Sequence, residues 1–137
     1  MKEMVLERLA AMAGQVSFYY RSLVTGESFA YNDRYPHEAA SIIKVPVMVE
    51  AFRQFEAGET RPDHPLPLRD SDRVPPCGVL TFMHTGLAPT VMDLIWLMIT
   101  ISHNMATNML TDHLGLERIQ QGAQALGLTG LALRRKL

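Results

Sequence analysis

Ser41 and Lys44 stand three residues apart in the stretch Ala39-Ala40-Ser41-Ile42-Ile43-Lys44-Val45-Pro46-Val47-Met48. Residues i and i+3 share a helix face about one turn apart, so this spacing sets a hydroxyl beside an amine. A serine is a weak nucleophile at neutral pH until a neighbour takes its proton. A lysine takes that role when burial or nearby positive charge lowers its pKa. A helix N-terminus adds partial positive charge and free N–H groups that suit a developing oxyanion. The S-x-x-K spacing alone is a weak signal, and a helix cap followed by a surface lysine accounts for the same letters. The flanks weigh against that second reading. Ile42, Ile43, Val45, Val47 and Met48 embed Lys44 in an apolar run, where a lysine requires a polar partner or a function.

Ser102-His103-Asn104 forms a second group of chemical interest. It falls where one apolar helix ends and another begins, a place that presents a hydroxyl and an amide into a cleft. Ser102 is a candidate proton relay to a leaving group. Asn104 is a candidate to bind a substrate amide or to position Lys44. The competing reading makes Ser102 and Asn104 caps between two helices, with Thr107 and Asn108 as further polar positions.

The elements that must hold these groups follow from periodicity. Residues 2–13 read as a short helix with Val5, Leu6, Leu9 and Met12 on one stripe, stopped by Gly14. Residues 16–23 and 28–32 are rich in strand formers around the turn Thr25-Gly26-Glu27, an antiparallel hairpin. The Ser41 helix runs to about Ala57 with Val45, Met48, Val49, Phe52 and Phe55 as its predicted stripe, and Gly58 ends it. Pro46 fits near the first turn, where a missing N–H costs least. Residues 59–78 hold five of the eight prolines and read as an extended, irregular connection; 79–86 match no single pattern. Thr90 and Asp93 form a capping-box pair ahead of Leu94, Ile95, Leu97, Met98 and Ile101. That helix is apolar nearly all round and is expected to be buried. A further helix starts near Met105 and is broken by Gly115; another spans Leu116 to Leu126, closed by Gly127; the tail is Leu128 to Leu137.

Composition excludes several classes. With 137 residues, 47% apolar and 20% charged, the chain is an ordinary globular sequence of single-domain size. A net charge of −1 with no basic block gives no nucleic-acid signature. One cysteine, Cys77, excludes an internal disulfide and a thiolate zinc cluster, and the five histidines form no H-x-x-x-H pair, so no metal is expected. The N-terminus carries acids where a signal peptide has its apolar core, and Leu94–Ile101 is too short to span a membrane. As written, the product is expected in the cytoplasm, or secreted or periplasmic if a leader has been removed.

Ser41-Ile42-Ile43-Lys44-Val45-Pro46 and the longer run Leu94 to Leu110, which contains Ser102-His103-Asn104, occur in an order and at a separation that resemble the N-terminal part of a class A β-lactamase or a close serine β-lactamase-like relative, in the penicillin-recognising superfamily. The resemblance covers most of the chain and includes the order of elements. It implies an α+β fold of β-lactamase/transpeptidase type, an antiparallel sheet with a helical lobe. Residues 1–137 would be one incomplete domain, with a helix and hairpin over 1–36 and a mostly helical lobe over 37–137. It implies that Ser41 is the acylated nucleophile and that Lys44 helps take its proton. Ser102 would shuttle a proton to the β-lactam nitrogen, and Asn104 would contact the substrate side-chain amide. The implied substrate is a β-lactam or a peptidoglycan-like peptide, with no metal or organic cofactor.

Two departures stand out. The family's S-D-N is S-H-N here, with His103 at a position that supports local structure and that could add a pH dependence near neutrality. The chain also reaches Leu137 without a K-T-G or K-S-G motif and before the family's deacylating glutamate. The expected sheet therefore lacks its later strands, leaving a hairpin with an open edge. Three readings follow: a serine β-lactamase-like hydrolase, a D-Ala-D-Ala peptidase or transpeptidase-like enzyme with the same Ser-Lys pair, and a non-catalytic truncated module. The expected explanation is that the chain is a piece of a longer protein; the alternatives are pairing with another copy or a separate C-terminal chain, which would close the sheet, and a self-standing reduced domain packed around the Leu94–Ile101 helix.

Overall fold

The structure, a computed structural model, describes residues 1–74 and 78–137. Residues 75–77 of the 59–78 connection, Cys77 among them, lie outside the described residues. The chain divides into two compact units, Met1–Glu38 and Ala39–Leu137.

In the first unit, α1 (Lys2–Ala10) is followed by β1 (Phe18–Arg21) and β2 (Ser28–Tyr31). The strands pair antiparallel with Phe18 opposite Tyr31 and Tyr20 opposite Phe29. Alternation along the strands puts Phe18, Tyr20 and Phe29 on one face. Phe29 packs its ring 5.6 Å from Phe18 and 5.2 Å from Tyr20, and Lys2 Nζ lies 5.9 Å from the Phe29 centroid. The turn places Gly26 at a φ of +75°, which glycine adopts without steric cost. Among the described residues the sheet has these two strands alone.

In the second unit, a 3₁₀ turn (Ala40–Ile43) leads into α2 (Lys44–Glu56). Pro46 lies in the first turn of α2, where N–H groups have no helical partner to lose. The buried face of α2 differs from the predicted stripe. Lys44, Val47, Ala51 and Gln54 point inward, whereas Val45 and Phe52 are about half exposed. Lys44 itself sets this phase. Once its side chain is turned inward, the positions three, seven and ten residues on follow it.

α3 (Val91–Thr100) starts at the predicted capping box. Thr90 Oγ1 accepts the Asp93 N–H at 3.1 Å and Asp93 Oδ2 accepts the Thr90 N–H at 2.9 Å. Val91, Leu94, Ile95 and Met98 are buried, but Trp96 is 63% exposed and Ile99 and Ile101 are also open. The expectation of all-round burial is thus corrected: composition showed no polar face, and only the neighbours' positions decide which side is covered. α4 (Asn104–Leu114) and α5 (Leu116–Ala125) follow, separated by Gly115 at a φ of +88°. Val47, Ala51, Leu94, Met98, Met105, Met109, Leu110 and Ile119 form the centre of the core.

Glu50 is buried between α2 and α5, where it accepts from Gln54 Nε2 at 2.9 Å and lies 3.7 Å from Arg118 Nε. The extended segment after α2 pairs with the chain before α3 through Leu66 N–H to Pro89 O (2.9 Å) and Leu68 N–H to Leu87 O (2.8 Å). A further 3₁₀ turn (Val79–Phe82) fills the stretch the sequence left unassigned. Arg73 holds it, donating to the carbonyls of Thr81 (2.6 Å) and Met83 (2.9 Å). The tail lies back along α4, where Asn108 exchanges two 2.9 Å hydrogen bonds with the Leu137 backbone. The architecture is α+β, as expected. No helix among the described residues is long and apolar enough to cross a membrane.

Candidate active site

The 3₁₀ turn before α2 and the α3–α4 junction bring together the four residues singled out by type and spacing. Ser41 Oγ and Ser102 Oγ are 2.7 Å apart, although 61 positions separate them in sequence. Lys44 Nζ lies 3.2 Å from Ser41 Oγ, 2.6 Å from Ser102 Oγ, 2.7 Å from the Ser102 carbonyl and 2.9 Å from Asn104 Oδ1. Lys44 is 2% exposed, while both serines are exposed. Two hydroxyls thus face solvent with an amine directly beneath them.

Counting donors and acceptors shows what the cluster can do. An ammonium carries three N–H groups and accepts nothing. The Ser102 carbonyl and Asn104 Oδ1 can only accept, so each takes one N–H of Lys44. The remaining position on Nζ faces both hydroxyls. It is an N–H when the lysine is charged and a lone pair when it is neutral. The same two fixed acceptors serve both states, so a proton can pass between Nζ and either hydroxyl without rearrangement of the amine.

The backbone around the hydroxyls is strained. Ala40, just before Ser41, has a φ of +44°, and Ser102 has a φ of +55°. Such left-handed conformations cost non-glycine residues about 1–3 kcal/mol each and tend to collect at functional sites. At Ser102 the conformation also stops α3, as the His103 N–H turns back to the Leu97 carbonyl at 3.2 Å. Glycine is the usual residue at such a stop; glycine has no hydroxyl.

The capping readings fare differently. Neither the Ala40–Ile43 turn nor α2 receives a side-chain cap, and Ser102 and Asn104 spend their oxygens on Lys44. The cap of α4 is His103, whose Nδ1 faces the Ala106 N–H at 3.5 Å. This residue is fully buried, and its Nε2 accepts the Leu80 N–H at 3.1 Å. Burial, and then the charge of Lys44, hold its pKa below the usual histidine value. The role of the 78–82 turn in supporting the site was not legible in sequence. Its one signal was Gly78, which has a φ of +122°.

Known proteins resemble this chain in the same regions. A family described as "Beta-lactamase enzyme family" matches residues 1–137. Among solved structures, PBP-A superposes with a TM-score of 0.91 at 27% identity, over 99% of this chain and 52% of that one. A β-lactamase from Sphaerobacter thermophilus DSM 20745 superposes with a TM-score of 0.87 at 34% identity, over 98% and 51%. A mutant PBP-A solved as an acyl-enzyme complex with penicillin G superposes with a TM-score of 0.85 at 27% identity, over 92% and 48%. The chain therefore spans about half the length of these relatives. No curated protein matches it.

Proposed function

From the premise that the chain belongs to the β-lactamase enzyme family, we propose that it carries the nucleophile half of a serine hydrolase site that opens β-lactam rings through an acyl-enzyme. The observation that carries this reading is the single hydrogen-bonded cluster of Ser41, Lys44, Ser102 and Asn104. Ser41 Oγ attacks the lactam carbonyl carbon and its proton passes to neutral Lys44 Nζ. The ring C–N bond breaks, and the nitrogen takes a proton from Ser102 Oγ, which is resupplied by Lys44. One proton has moved from Ser41 to the leaving nitrogen, Lys44 is neutral again, and the product is an ester on Ser41. Asn104 keeps Oδ1 on Lys44, which leaves its Nδ2 hydrogens for a substrate amide oxygen. The chemistry requires no metal or organic cofactor.

The domain reading belongs to the same proposal. Residues 1–137 form one incomplete β-lactamase-like domain, completed by a C-terminal half on the same polypeptide or a complementing chain, or by self-association. That half would supply the later strands and the second oxyanion donor; such donors are typically worth about 3 kcal/mol. A PBP-A variant was solved as an acyl-enzyme complex with penicillin G; likeness to a protein trapped in that state supports a second reading, a D-Ala-D-Ala peptidase or transpeptidase-like enzyme that acylates by the same steps on a peptidoglycan-like peptide and deacylates slowly.

Intact mass before and after incubation with penicillin G tests the proposal, with the chain alone and with a family C-terminal half added. We expect a mass increase equal to the whole penicillin, absent in Ser41→Ala. Turnover without a lasting adduct supports the hydrolase, and a persistent adduct supports the peptidase-like reading. No adduct and no turnover with the added half bound would refute both in favour of a non-catalytic module.

A further inference from the structure

His103 stands between the two residues that hold Lys44, yet neither of its ring nitrogens touches Ser102, Asn104 or Lys44 through a hydrogen bond. Instead they reach two different backbones: Leu80 N–H at 3.1 Å from Nε2 and Ala106 N–H at 3.5 Å from Nδ1. The Leu80 bond ties the 78–82 turn to the α3–α4 junction, and the longer Ala106 contact faces the first turn of α4; a neutral ring accepts only one of the two at a time. The ring is pressed against the backbone on its remaining side. A Cβ built on Gly78 would lie 2.2 Å from Nε2 and 2.3 Å from Cδ2, so the imidazole occupies the space a side chain there would need.

Hydrogen-bond inventory makes this arrangement sensitive to one proton. Two N–H donors point at a ring that has one accepting nitrogen when neutral and none when protonated. An imidazolium would set an N–H against each backbone N–H in a site without exposure to water, and unsatisfied buried donors are costly. The ring is fully buried and already fills the space beside Gly78, so turning away would require its neighbours to move. Protonation removes the acceptor of the Leu80 N–H, and the 78–82 turn is released from the junction.

We propose that His103 is a positioning residue, a clamp that keeps Ser102 and Asn104 in reach of Lys44 only while its imidazole is neutral. The inference rests on the acyl-enzyme reading of the Ser41 cluster for its functional consequence. The charges around the ring support it. Burial first, and then Lys44 of α2 when it is charged, oppose protonation of His103. Residues 78–82 contain no titratable group. Arg73 approaches that turn through the carbonyls of Thr81 and Met83. On α3 the one acid, Asp93, is in the first turn, and on α4 Asp112 and His113 are in the last turns, two or more helical turns from residue 103. Among the described residues no carboxylate acts on the ring to stabilise an imidazolium.

The test uses the 137-residue chain with two readouts. The first is an NMR titration of the His103 ring nitrogens alongside hydrogen exchange of the Leu80 amide. The expected result is a titration midpoint below 6.5, with at least tenfold faster Leu80 exchange once the ring is protonated. The second is the rate of Ser41 acylation by penicillin G from pH 4.5 to 8.5, read by intact mass. We expect it to fall tenfold per pH unit below the His103 midpoint. In His103→Asp, whose carboxylate stays an acceptor to about pH 4, the acid limb should move downward by a unit or more. Unchanged Leu80 protection across the His103 titration overturns the clamp. So does an acid limb that stays in place in His103→Asp. Should that variant fail to fold, the NMR arm on the unaltered chain decides. Should no adduct form at any pH, the acyl-enzyme reading fails for this chain while Leu80 exchange still judges the clamp by itself.

Discussion

Replacing Gly78 with alanine is expected to damage the protein through one identifiable collision. The new Cβ would sit 2.2 Å from His103 Nε2 and 2.3 Å from both Cδ2 and Cε1, distances at which one side must move. Two terms add. Gly78 has a φ of +122° and ψ of 151°, a region open essentially to glycine alone, so alanine carries about 1–3 kcal/mol of backbone strain there. Forcing the ring aside in a packed core costs a further amount of about 1–3 kcal/mol. These terms can be separated, because His103→Ala removes the ring and therefore the collision but leaves the strain. Urea melts of Gly78→Ala, His103→Ala and the double variant form a cycle in which the double variant is less destabilised than the sum, by about 1–3 kcal/mol. Additivity within about 0.5 kcal/mol would refute the argument, because it would mean that the ring and residue 78 do not meet in the folded protein.

Two further predictions concern stability. Thr90→Ala removes the cap of α3 and should lower stability by about 1 kcal/mol. The backbone and side-chain hydrogen bonds of Thr90 hold the Asp93 pKa below its usual value, so the stabilisation from this pair is full above about pH 4 and is lost as pH falls through the depressed value. Equal melting of Thr90→Ala and the parent at pH 7 would show that the box contributes nothing. His113 bonds Thr60 Oγ1 at 2.7 Å and stacks on His64 at 5.1 Å. Burial, then the charge of His64, lowers its pKa from 6.5. The unfolded chain therefore binds this proton first, and stability should decline as pH drops below about 6.5 until the folded value is reached. His113→Gln should flatten that decline in urea melts at pH 7.5, 6.0 and 5.0, and an unchanged slope would assign it elsewhere.

Much of the candidate site was legible in the sequence. Ser41 and Lys44 announce themselves because a lysine among isoleucines and valines needs a polar destination, and helical spacing puts that destination one turn back. Ser102 and Asn104 stand out because a polar pair interrupts two apolar helices. The capping box at Thr90 and Asp93, the hairpin and the stops at Gly58 and Gly115 are local features, governed by residues within a few positions of one another. Local chemistry leaves its record in consecutive letters.

What lies across the chain did not. The sequence presented Val45 and Phe52 as core, but the inward turn of Lys44 gave the buried face to Val47, Ala51 and Gln54. The apolar circumference of α3 named no buried side, and only packing left Trp96 open. Whether Ser102 would cap a helix or face Ser41 depended on a contact across 61 positions. His103 looked like a changed letter in a motif; in the fold it is the link between the 78–82 turn and the helix junction. Sequence by itself determined which groups could do chemistry and which elements would carry them. The tertiary structure alone decided which groups meet, because helix phase and long-range contact are set by the packing of several elements at once, and no single stretch of chain contains that information.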